Sequence, residues 1–355
     1  MSRPTMLIAK SRRRSGPRSA TGVTPVRQRG VLGTAVAALP ILAILVATGC
    51  SGSGVYATTQ IPKAAATSAG APTPSATTTP PACGNRLASF APDGPNPAPA
   101  GAMPSGSHMK TVKKRGRLIA GVSADTLLLG SRNPVSGQIE GFDIEMLRAV
   151  SKALFNDPNK IEFRVITTAQ RIPVLADGSV DIVARALTIT CARWEQIAFS
   201  TEYYRAGQKV LVAKGSPVKG IEDLKGKRVC APNGSTSMEK LRTFAGLVAV
   251  GSDTHTGCLV LFQQGRVDAI TGDDTILAGL AAQDPYAFVV KAPAFTAEPY
   301  GLGISNKNGD FVKFVNRVLE QMRTDGQWKT AYNTWLLEAL GPAPAPPAAV
   351  YGRRQ

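Results

Sequence analysis

Strand-like and helix-like hydrophobic patterns alternate along the chain from about residue 117 to residue 340. The short apolar, β-branched runs that predict buried strands are 117–122, 161–166 and 180–184. An amphipathic run over 141–155 predicts a helix between the first two strands, and a shorter helix is expected to end at Gly178. This strand–helix–strand–helix–strand series is typical of a parallel sheet covered by helices, which indicates the α/β fold class.

A second series follows Tyr204, and the chain then returns to the first. Its predicted strands are 210–214, 227–231, 267–270 and 287–291, and its predicted helices start at Thr236 and span 259–265. Two further amphipathic helices are predicted at 310–323 and 328–340. The chain therefore crosses twice between two lobes, near 204–208 and 295–300, which predicts a hinge beside an interlobe cleft. We expect lobe 1 to comprise 110–206 and 300–340, and lobe 2 to comprise 207–299.

Polar side chains cluster directly after the strand 180–184, at the edge where open α/β sheets bind ligands. Thr188, Thr190 and Arg193 are the residues concerned. A guanidinium group matches a carboxylate through two parallel hydrogen bonds, and threonine hydroxyls accept from an ammonium or donate to an oxygen. The segment therefore favours a site for a small carboxylate over the alternative of a solvated surface arginine.

The runs ALTITCAR and FSTEYY resemble the signature of the family 3 extracytoplasmic solute-binding proteins. That signature is roughly G-M-T-I-T-x-x-R followed by F-S-x-P-Y, so Ala186 replaces its glycine and Glu202 its proline. Similarity extends from about 112 to 340, because GFDIEMLRAV, GSTS, GRVDAITGDD and YGLGIS follow in family order. The resemblance implies a two-lobe, periplasmic-binding-protein-like (type II) fold that captures a polar amino acid for an ABC importer.

The resemblance also implies which side chains of lobe 1 meet the ligand. Arg193 matches the position that holds the α-carboxylate, Thr188 is a ligand-binding residue of the same motif, and Ala186 occupies the glycine position of the motif. Asp125 matches a position that lines the ligand site.

In lobe 2, Ser235 and Thr236 stand at the start of a helix, where exposed N–H groups bind anions. The resemblance implies that they help to hold the α-carboxylate, although a serine at this place can equally be only an N-cap. Asp273 aligns with the ammonium-binding aspartate of the family, and Asp274 is its nearest rival.

Some residues depart from the sequence pattern of glutamine-binding proteins, and these departures indicate which amino acid is bound. Leu128 and Thr168 stand where aromatic residues usually enclose the ligand side chain. Arg171 resembles the arginine of glutamate and aspartate binders, so we expect an acidic amino acid, with the amides as weaker alternatives. Arg185 occupies a usually small position, and it either reaches into the cleft or pairs with an acid such as Glu140.

Residues 1–49 have the features of an export signal. They contain eight Lys or Arg and no acid, and an uncharged apolar run over 31–49 leads into Cys50. The ATGC ending resembles a lipobox, in which Cys50 is lipidated and becomes the mature N-terminus; an uncleaved membrane anchor is the alternative. Both place the protein on the outer face of the cell membrane. Without this segment 33 of the 41 basic residues remain against 24 acidic ones, so the net charge falls from +17 to +9.

Composition and cysteine number describe the rest of the chain. Residues 50–109 are rich in Pro, Ala, Ser and Thr and are expected to form a tether, with packing of its last part, from Cys83, on the folded domain as the alternative. Residues 341–355 are expected to form a disordered tail. Five cysteines in an exported chain suggest one lipid anchor and two disulfides, with three pairings open. Since a bond between the lobes would lock the hinge, we expect the pairs Cys230–Cys258 and Cys83–Cys191.

Other functions have less support. His108 and His255, the only histidines, are predicted in polar, loop-like segments, and the sequence contains no metal-ligand spacing, nucleophile elbow or P-loop. Dehydratases and lytic transglycosylases resemble this fold; in an enzyme, Asp125 or Asp273 would be the acid. The sequence contains no basic patch interleaved with aromatic residues, so it does not favour nucleic-acid binding. We expect a monomer without cofactor or metal. A sensor that docks on a membrane receptor would use the same residues as a transport protein, so the sequence leaves that choice open.

Overall fold

A computed structural model describes residues 83–93 and 103–354 of the 355-residue chain. The predictions for the signal segment, for Cys50 and for most of the tether lie outside the described residues. Within the described part, no helix combines the length and hydropathy needed to cross a membrane.

Helices and strands alternate along the chain, as the hydrophobic pattern predicts. The helices are α1 His108–Arg115, α2 Phe142–Phe155, α3 Pro173–Ala176, α4 Cys191–Trp194, α5 Thr236–Leu241, α6 His255–Gln263, α7 Asp274–Gln283, α8 Gly309–Thr324, α9 Gln327–Trp335 and α10 Leu337–Leu340. The strands are β1 Leu118–Val122, β2 Asp125–Thr126, β3 Gly130–Arg132, β4 Ile139–Glu140, β5 Ile161–Val165, β6 Ile182–Ala184, β7 Ile197–Phe199, β8 Tyr204–Ala213, β9 Arg228–Pro232, β10 Val248–Ser252, β11 Ala269–Asp273, β12 Ala287–Val289, β13 Ala297–Tyr300 and β14 Gly303–Ser305. Single 3₁₀ turns occur at Ala169–Arg171 and Ile221–Leu224.

Lobe 1 is built on a five-stranded sheet of order β5-β1-β6-β14-β7. β5, β1 and β6 run parallel, and β14 returns antiparallel between β6 and β7. Every residue of β1 is buried, because α2 and α8 cover one face and a second apolar cluster around Leu175 and Phe199 covers the other. β14, which comes late in the chain, thus shares one sheet with β1, β5 and β6.

Lobe 2 has its own sheet, of order β10-β9-β11-β8-β12. Its two faces are covered by separate apolar clusters. The disulfide Cys230–Cys258, with an Sγ–Sγ distance of 2.04 Å, joins β9 to α6 as expected. Sequence analysis did not predict β10 or α7.

The two segments predicted as crossings between the lobes lie side by side. β8 and β13 pair antiparallel from Tyr204↔Tyr300 to Gly207↔Ala297. The segment that leads into β13 approaches β8 closely, since a Cβ atom on Gly207 would lie 2.3 Å from the Cβ of Ala294. Glycine is therefore needed at position 207.

The expected disorder after Leu340 was wrong for residues 341–354, which pack along the segment Cys83–Asp93. The N–H of Ser89 donates to the carbonyl oxygen of Val350 at 2.9 Å, and the guanidinium of Arg353 stacks 3.8 Å from the ring centre of Trp194. The composition of the tail precludes a hydrophobic core of its own, but the segment Cys83–Asp93 supplies its packing and hydrogen-bond partners. The disulfide Cys83–Cys191, at 2.06 Å, fixes that segment to α4 as expected.

Candidate ligand-binding site

A polar cavity lies between the lobes, at the carboxyl ends of strands from both sheets. Its volume is only about 20 Å³, room for about one water molecule and far below the roughly 300–1,000 Å³ of a typical small-molecule site. The lobes are therefore closed on each other. The lining residues are Ser123, Thr126, Leu129, Asp143, Thr168, Arg171, Arg185, Ala186, Thr188, Thr236, His255, Asp273 and Ile276.

Direct hydrogen bonds hold this closed arrangement. The N–H of Thr168 donates to the carbonyl oxygen of Asp253 at 3.2 Å. The hydroxyl of Thr256 donates to the main-chain carbonyl oxygen of Asp125 at 2.9 Å. The hydroxyls of Thr188 and Thr236 lie 3.4 Å apart across the cleft. Each bond joins a residue of lobe 1 to one of lobe 2, so opening the cleft breaks all three.

Two arginines of lobe 1 converge on one oxygen of lobe 2. Nη2 of Arg193 and Nη2 of Arg171 donate to the carbonyl oxygen of Gly234 at 3.2 and 3.1 Å. Arg193 also donates from Nη1 to the carbonyl oxygen of Thr188 at 2.8 Å, and Thr190 caps the short helix that carries it. Burial lowers the pKa of both guanidinium groups, yet arginine stays charged in proteins. The cleft thus concentrates positive charge where an anion could replace a carbonyl group.

Arg171 is further bound to the main chain of its own lobe. Nε donates to the carbonyl oxygen of Thr168 at 2.9 Å, and Nη1 donates to those of Ala186 and Arg185 at 3.0 and 3.3 Å. Ala186, at the glycine position of the motif, has a φ of 44° in the left-handed region. An L-residue is strained there, which explains why a glycine suits this position.

Arg185 faces the cleft, which decides between its two predicted orientations. Nε donates to the carbonyl oxygen of Ile166 at 2.9 Å and Nη1 to the hydroxyl of Thr168 at 2.7 Å. Glu140 instead accepts from the side chain of Asn133 at 2.7 Å. Burial lowers the pKa of Arg185.

Asp143, at the start of α2, is a lining residue that sequence analysis missed. It accepts from the hydroxyl of Tyr203 at 2.6 Å and from the N–H of Ala186 at 2.8 Å. Burial raises its pKa to about 6. Its only sequence signal was an acid between two apolar residues in GFDIE, which also describes an ordinary first helical turn.

Of the two candidate aspartates in lobe 2, Asp273 lines the cavity and Asp274 does not. Oδ2 of Asp273 accepts from the hydroxyl of Tyr300 at 2.6 Å, whereas Oδ1 is buried without a hydrogen-bond partner in the part of the chain described. Burial, followed by the nearby carboxylate of Glu298, raises the pKa of Asp273 to about 8. The Asp274 carboxylate accepts from the N–H groups of Thr275 and Gly207 and faces another groove.

Ser235 and Thr236 have different roles. The hydroxyl of Ser235 accepts from the N–H of Met238 at 3.0 Å and donates to the Pro232 carbonyl at 2.6 Å, so it caps α5 outside the cavity lining. Thr236 lines the cavity and donates to Glu298 at 2.8 Å.

Asp125 lies beside the cavity and accepts from the hydroxyl of Ser123 at 2.6 Å.

The expected loop-like setting of the two histidines was wrong, because each begins a helix. His108 starts α1 and lies 3.0 Å from a carboxylate oxygen of Asp181. His255 starts α6 and lines the cavity; burial, with Arg185 and Arg171 nearby, lowers its pKa to about 3. Sequence reasoning missed His255 because the polar residues before it resemble a loop, although Thr254 is the N-cap of α6.

Comparisons with known proteins agree with this geometry. The model of the bacterial extracellular solute-binding proteins, family 3, matches residues 118–338. The chain is 35% identical over 232 residues to the "ABC transporter glutamine-binding protein GlnH" of Bacillus subtilis, covering 65% of this chain and 85% of that protein. It is 31% identical over 240 residues to the "Glutamate-binding protein GluB" of Corynebacterium efficiens, covering 64% and 80%.

Among solved structures, an ancestral arginine-binding protein bound to glutamine is 33% identical, with a TM-score of 0.59 and coverage of 62% of this chain and 98% of that one. The two-lobe architecture is thus shared with known binding proteins, and the family comprises solute-binding proteins, not enzymes. The chain belongs to the bacterial extracellular solute-binding proteins, family 3.

Proposed function

We propose that this protein binds a polar amino acid between its lobes, outside the cytoplasm, and delivers it to an ABC importer. The family supports the binding role, and relatives named for glutamine and glutamate binding support the class of ligand. The partners are therefore an amino acid and a membrane-embedded permease.

The observation that carries this proposal is the convergence of Arg171 and Arg193 on the Gly234 carbonyl. Arg171 also lines the cavity that Asp273 lines, and Oδ1 of Asp273 has no hydrogen-bond partner among the described residues. Two guanidinium groups complement an α-carboxylate, and a carboxylate complements an α-ammonium. The cavity thus offers partners for both charged groups that every free amino acid carries.

Closure is the proposed mechanism. In the closed protein the Gly234 carbonyl accepts from both arginines, and a ligand carboxylate would compete with it for the same donors. Hydrogen bonds between charged groups are about twice as strong as neutral ones, so a ligand that contacts Arg193 and Asp273 together favours the closed state. A ligand with only one charged group would join the lobes less well.

The ligand class includes both acids and amides. The expected preference for glutamate or aspartate depended on Arg171, but its Nε, Nη1 and Nη2 all reach main-chain oxygens. We therefore propose glutamate, aspartate, glutamine and asparagine as the class, without assigning Arg171 to a side-chain carboxylate.

A thermal-shift screen of the twenty amino acids tests the function. A true ligand at a hundred times its dissociation constant should stabilise the protein by about 2.7 kcal/mol. γ-Aminobutyrate, which lacks the α-carboxylate, should not stabilise it. Chromatography after overnight incubation should recover the ligand unchanged. The proposal fails if no amino acid stabilises the protein, or if the ligand is consumed beyond stoichiometry.

We also propose that the protein is a monomer attached by a lipid on Cys50 to the outer face of the membrane. The support is the apolar run that ends in ATGC. Cys50→Ala should move the protein from the membrane fraction to the soluble fraction. An unchanged membrane fraction would favour an uncleaved anchor.

A further inference from the structure

Two segments near the ends of the described chain pack together on lobe 1. They are residues 83–93 and 341–354, and we call them the strap. Nε of Arg353 joins the two segments by donating to the carbonyl oxygen of Ala88 at 2.8 Å. Both segments lie outside residues 118–338, which match the family model. The role of the strap must therefore be inferred from the residues that it contacts.

The strap holds α4 by contacts on both sides of Arg193. The disulfide Cys83–Cys191 attaches the strap two residues before this arginine. The indole N–H of Trp194, the residue directly after it, donates to the carbonyl oxygen of Arg86 at 2.8 Å. Arg193 itself donates across the cleft from between these two attachments. The strap thus fixes the chain immediately before and immediately after an arginine of the ligand site.

Both segments of the strap also pack on the ring of Trp194. The guanidinium of Arg353 stacks 3.8 Å from the ring centre, and the ring of Phe90 makes an edge contact at 6.1 Å between centroids. Phe199, in the core of lobe 1, makes a second edge contact at 5.3 Å. The indole is therefore held between the strap and the core, which limits how far α4 can move.

The strap is itself anchored to lobe 1 by buried polar groups. The hydroxyl of Ser89 donates to the carbonyl oxygen of Phe199 at 2.7 Å. Nδ2 of Asn316, in α8, donates to the hydroxyl of Ser89 and to the carbonyl oxygen of Phe90, each at 2.8 Å. Ser89 and Asn316 are completely buried. Because a buried polar group without a partner is costly, these bonds hold the strap in one position.

α4 is too short to fix the position of Arg193 alone. It has four residues, and a helix of that length is unstable in isolation because nucleation costs more than its few hydrogen bonds return. Its local bonds run from the N–H of Trp194 to the carbonyl oxygen of Thr190 and from the N–H of Arg193 to the hydroxyl of Thr190. The geometry of α4 therefore depends on contacts with the rest of the protein, and the strap supplies such contacts on both sides of Arg193.

The orientation of Arg193 matters because a planar guanidinium makes two parallel hydrogen bonds to a carboxylate only when the two groups are aligned. A donor that is held in the right orientation before binding loses less affinity to ordering. We propose that the strap positions Arg193, with Cys191 and Trp194 as the positioning residues, and thereby strengthens the binding of an amino acid. This inference rests on the proposed function, since it requires Arg193 to hold the ligand α-carboxylate.

Calorimetry on the purified full chain tests the inference, with glutamate, aspartate, glutamine and asparagine as ligands and at a temperature where every variant is folded. Trp194→Phe removes the indole donor but keeps an aromatic ring, and it should weaken binding by about threefold or more. The double variant Cys83→Ser, Cys191→Ser should weaken binding by at least about tenfold. Both losses should be smaller than that of Arg193→Ala, because the arginine is still present.

Three control variants separate positioning from other effects, and all three should leave affinity unchanged. Leu154→Ala, in the buried core of lobe 1, should lower only the unfolding temperature. Trp335→Phe removes an indole N–H that is buried without a hydrogen-bond partner among the described residues. Arg86→Ala removes the bond from this side chain to the carbonyl oxygen of Ala297 in β13, but it keeps the main-chain oxygen that accepts from Trp194.

The outcomes distinguish this inference from the function on which it rests. If none of the four amino acids binds, the proposed function fails. If one binds and both strap variants keep its affinity within about twofold, the strap does not position Arg193, while the function stands. The inference is also wrong if Leu154→Ala weakens binding as much as the strap variants, or if Arg86→Ala alone reproduces their loss. If the double cysteine variant does not fold, Trp194→Phe still decides.

Discussion

The two lobes contribute opposite chemistry to the cleft. Lobe 1 supplies Arg171, Arg185 and Arg193, all buried and all bound to oxygen atoms. Lobe 2 supplies Asp273, whose Oδ1 is buried without a hydrogen-bond partner among the described residues. The donors are therefore preorganised on one lobe, and an unsatisfied carboxyl oxygen lies on the other.

This difference explains why a zwitterion is the natural ligand. In the closed protein the Gly234 carbonyl accepts from Arg171 and Arg193, but the described residues supply no donor to Oδ1 of Asp273. The ammonium group of a zwitterionic ligand would supply that donor, and its carboxylate would replace a neutral acceptor of the arginines with a charged one. The arginines of lobe 1 thus strengthen ligand binding. The unpaired carboxyl oxygen of lobe 2 makes the closed state more favourable when a ligand is bound.

The lobes also differ in how they are crosslinked, and this gives the largest expected effect. Cys83–Cys191 closes a loop of 108 residues in lobe 1, and Cys230–Cys258 closes one of 28 in lobe 2. In the chain-entropy account, their removal should cost about 4.8 and about 3.6 kcal/mol of unfolding free energy. Denaturant unfolding of the two double Cys→Ser variants measures this. If removal of Cys230–Cys258 lowered the unfolding free energy more than removal of Cys83–Cys191, the prediction would be wrong.

The second prediction concerns the donors of lobe 1. Arg193→Ala should weaken every amino acid by about 2 to 5 kcal/mol, because it leaves a desolvated α-carboxylate without its charged partner. Calorimetry measures the loss. Arg228→Ala, an exposed arginine of lobe 2 paired with Asp268, is the control and should leave affinity unchanged. Retained affinity in the Arg193 variant would place the ligand carboxylate elsewhere.

A third prediction tests the carboxyl group of Asp273 in lobe 2 through the pH dependence of stability. The folded pKa of Asp273, about 8, lies above its ordinary value of 3.8, so its contribution to the stability of the ligand-free protein is complete below about 4 and is lost as pH rises toward 8. Asp273→Asn should remove this loss of unfolding free energy. Because the pKa of Asp273 is raised by more than one unit, the loss exceeds about 1.4 kcal/mol. Thermal unfolding from pH 4 to 9 measures the difference, with Asp268→Asn as a control, because Asp268 is paired with Arg228 and its pKa is shifted in the opposite direction. Parallel curves for the Asp273 variant and the unaltered protein would show that Asp273 is not the titrating group.

Much of this arrangement was predictable, and the exceptions have physical causes. Local pattern predicted the strand 180–184 and the polar cluster after it, and the hinge argument predicted both disulfides. His255 was missed because the polar residues before it resemble a loop, although one of them, Thr254, caps α6. The tail around Arg353 was missed because its partners lie more than 250 residues earlier in the sequence.

The smallest predicted effect concerns the backbone that holds Arg171 on lobe 1. Ala186 accepts from Arg171 through its carbonyl and has a φ of 44°, which costs an L-residue about 1 to 2 kcal/mol. Ala186→Gly relieves this strain but adds freedom to the unfolded chain, so the net stabilisation should be about 0.5 to 1 kcal/mol. Ala192→Gly, within α4, is the opposite control and should destabilise the protein. Denaturant unfolding measures both, and a loss of stability in the Ala186 variant would show that its methyl group packs more favourably than its backbone is strained.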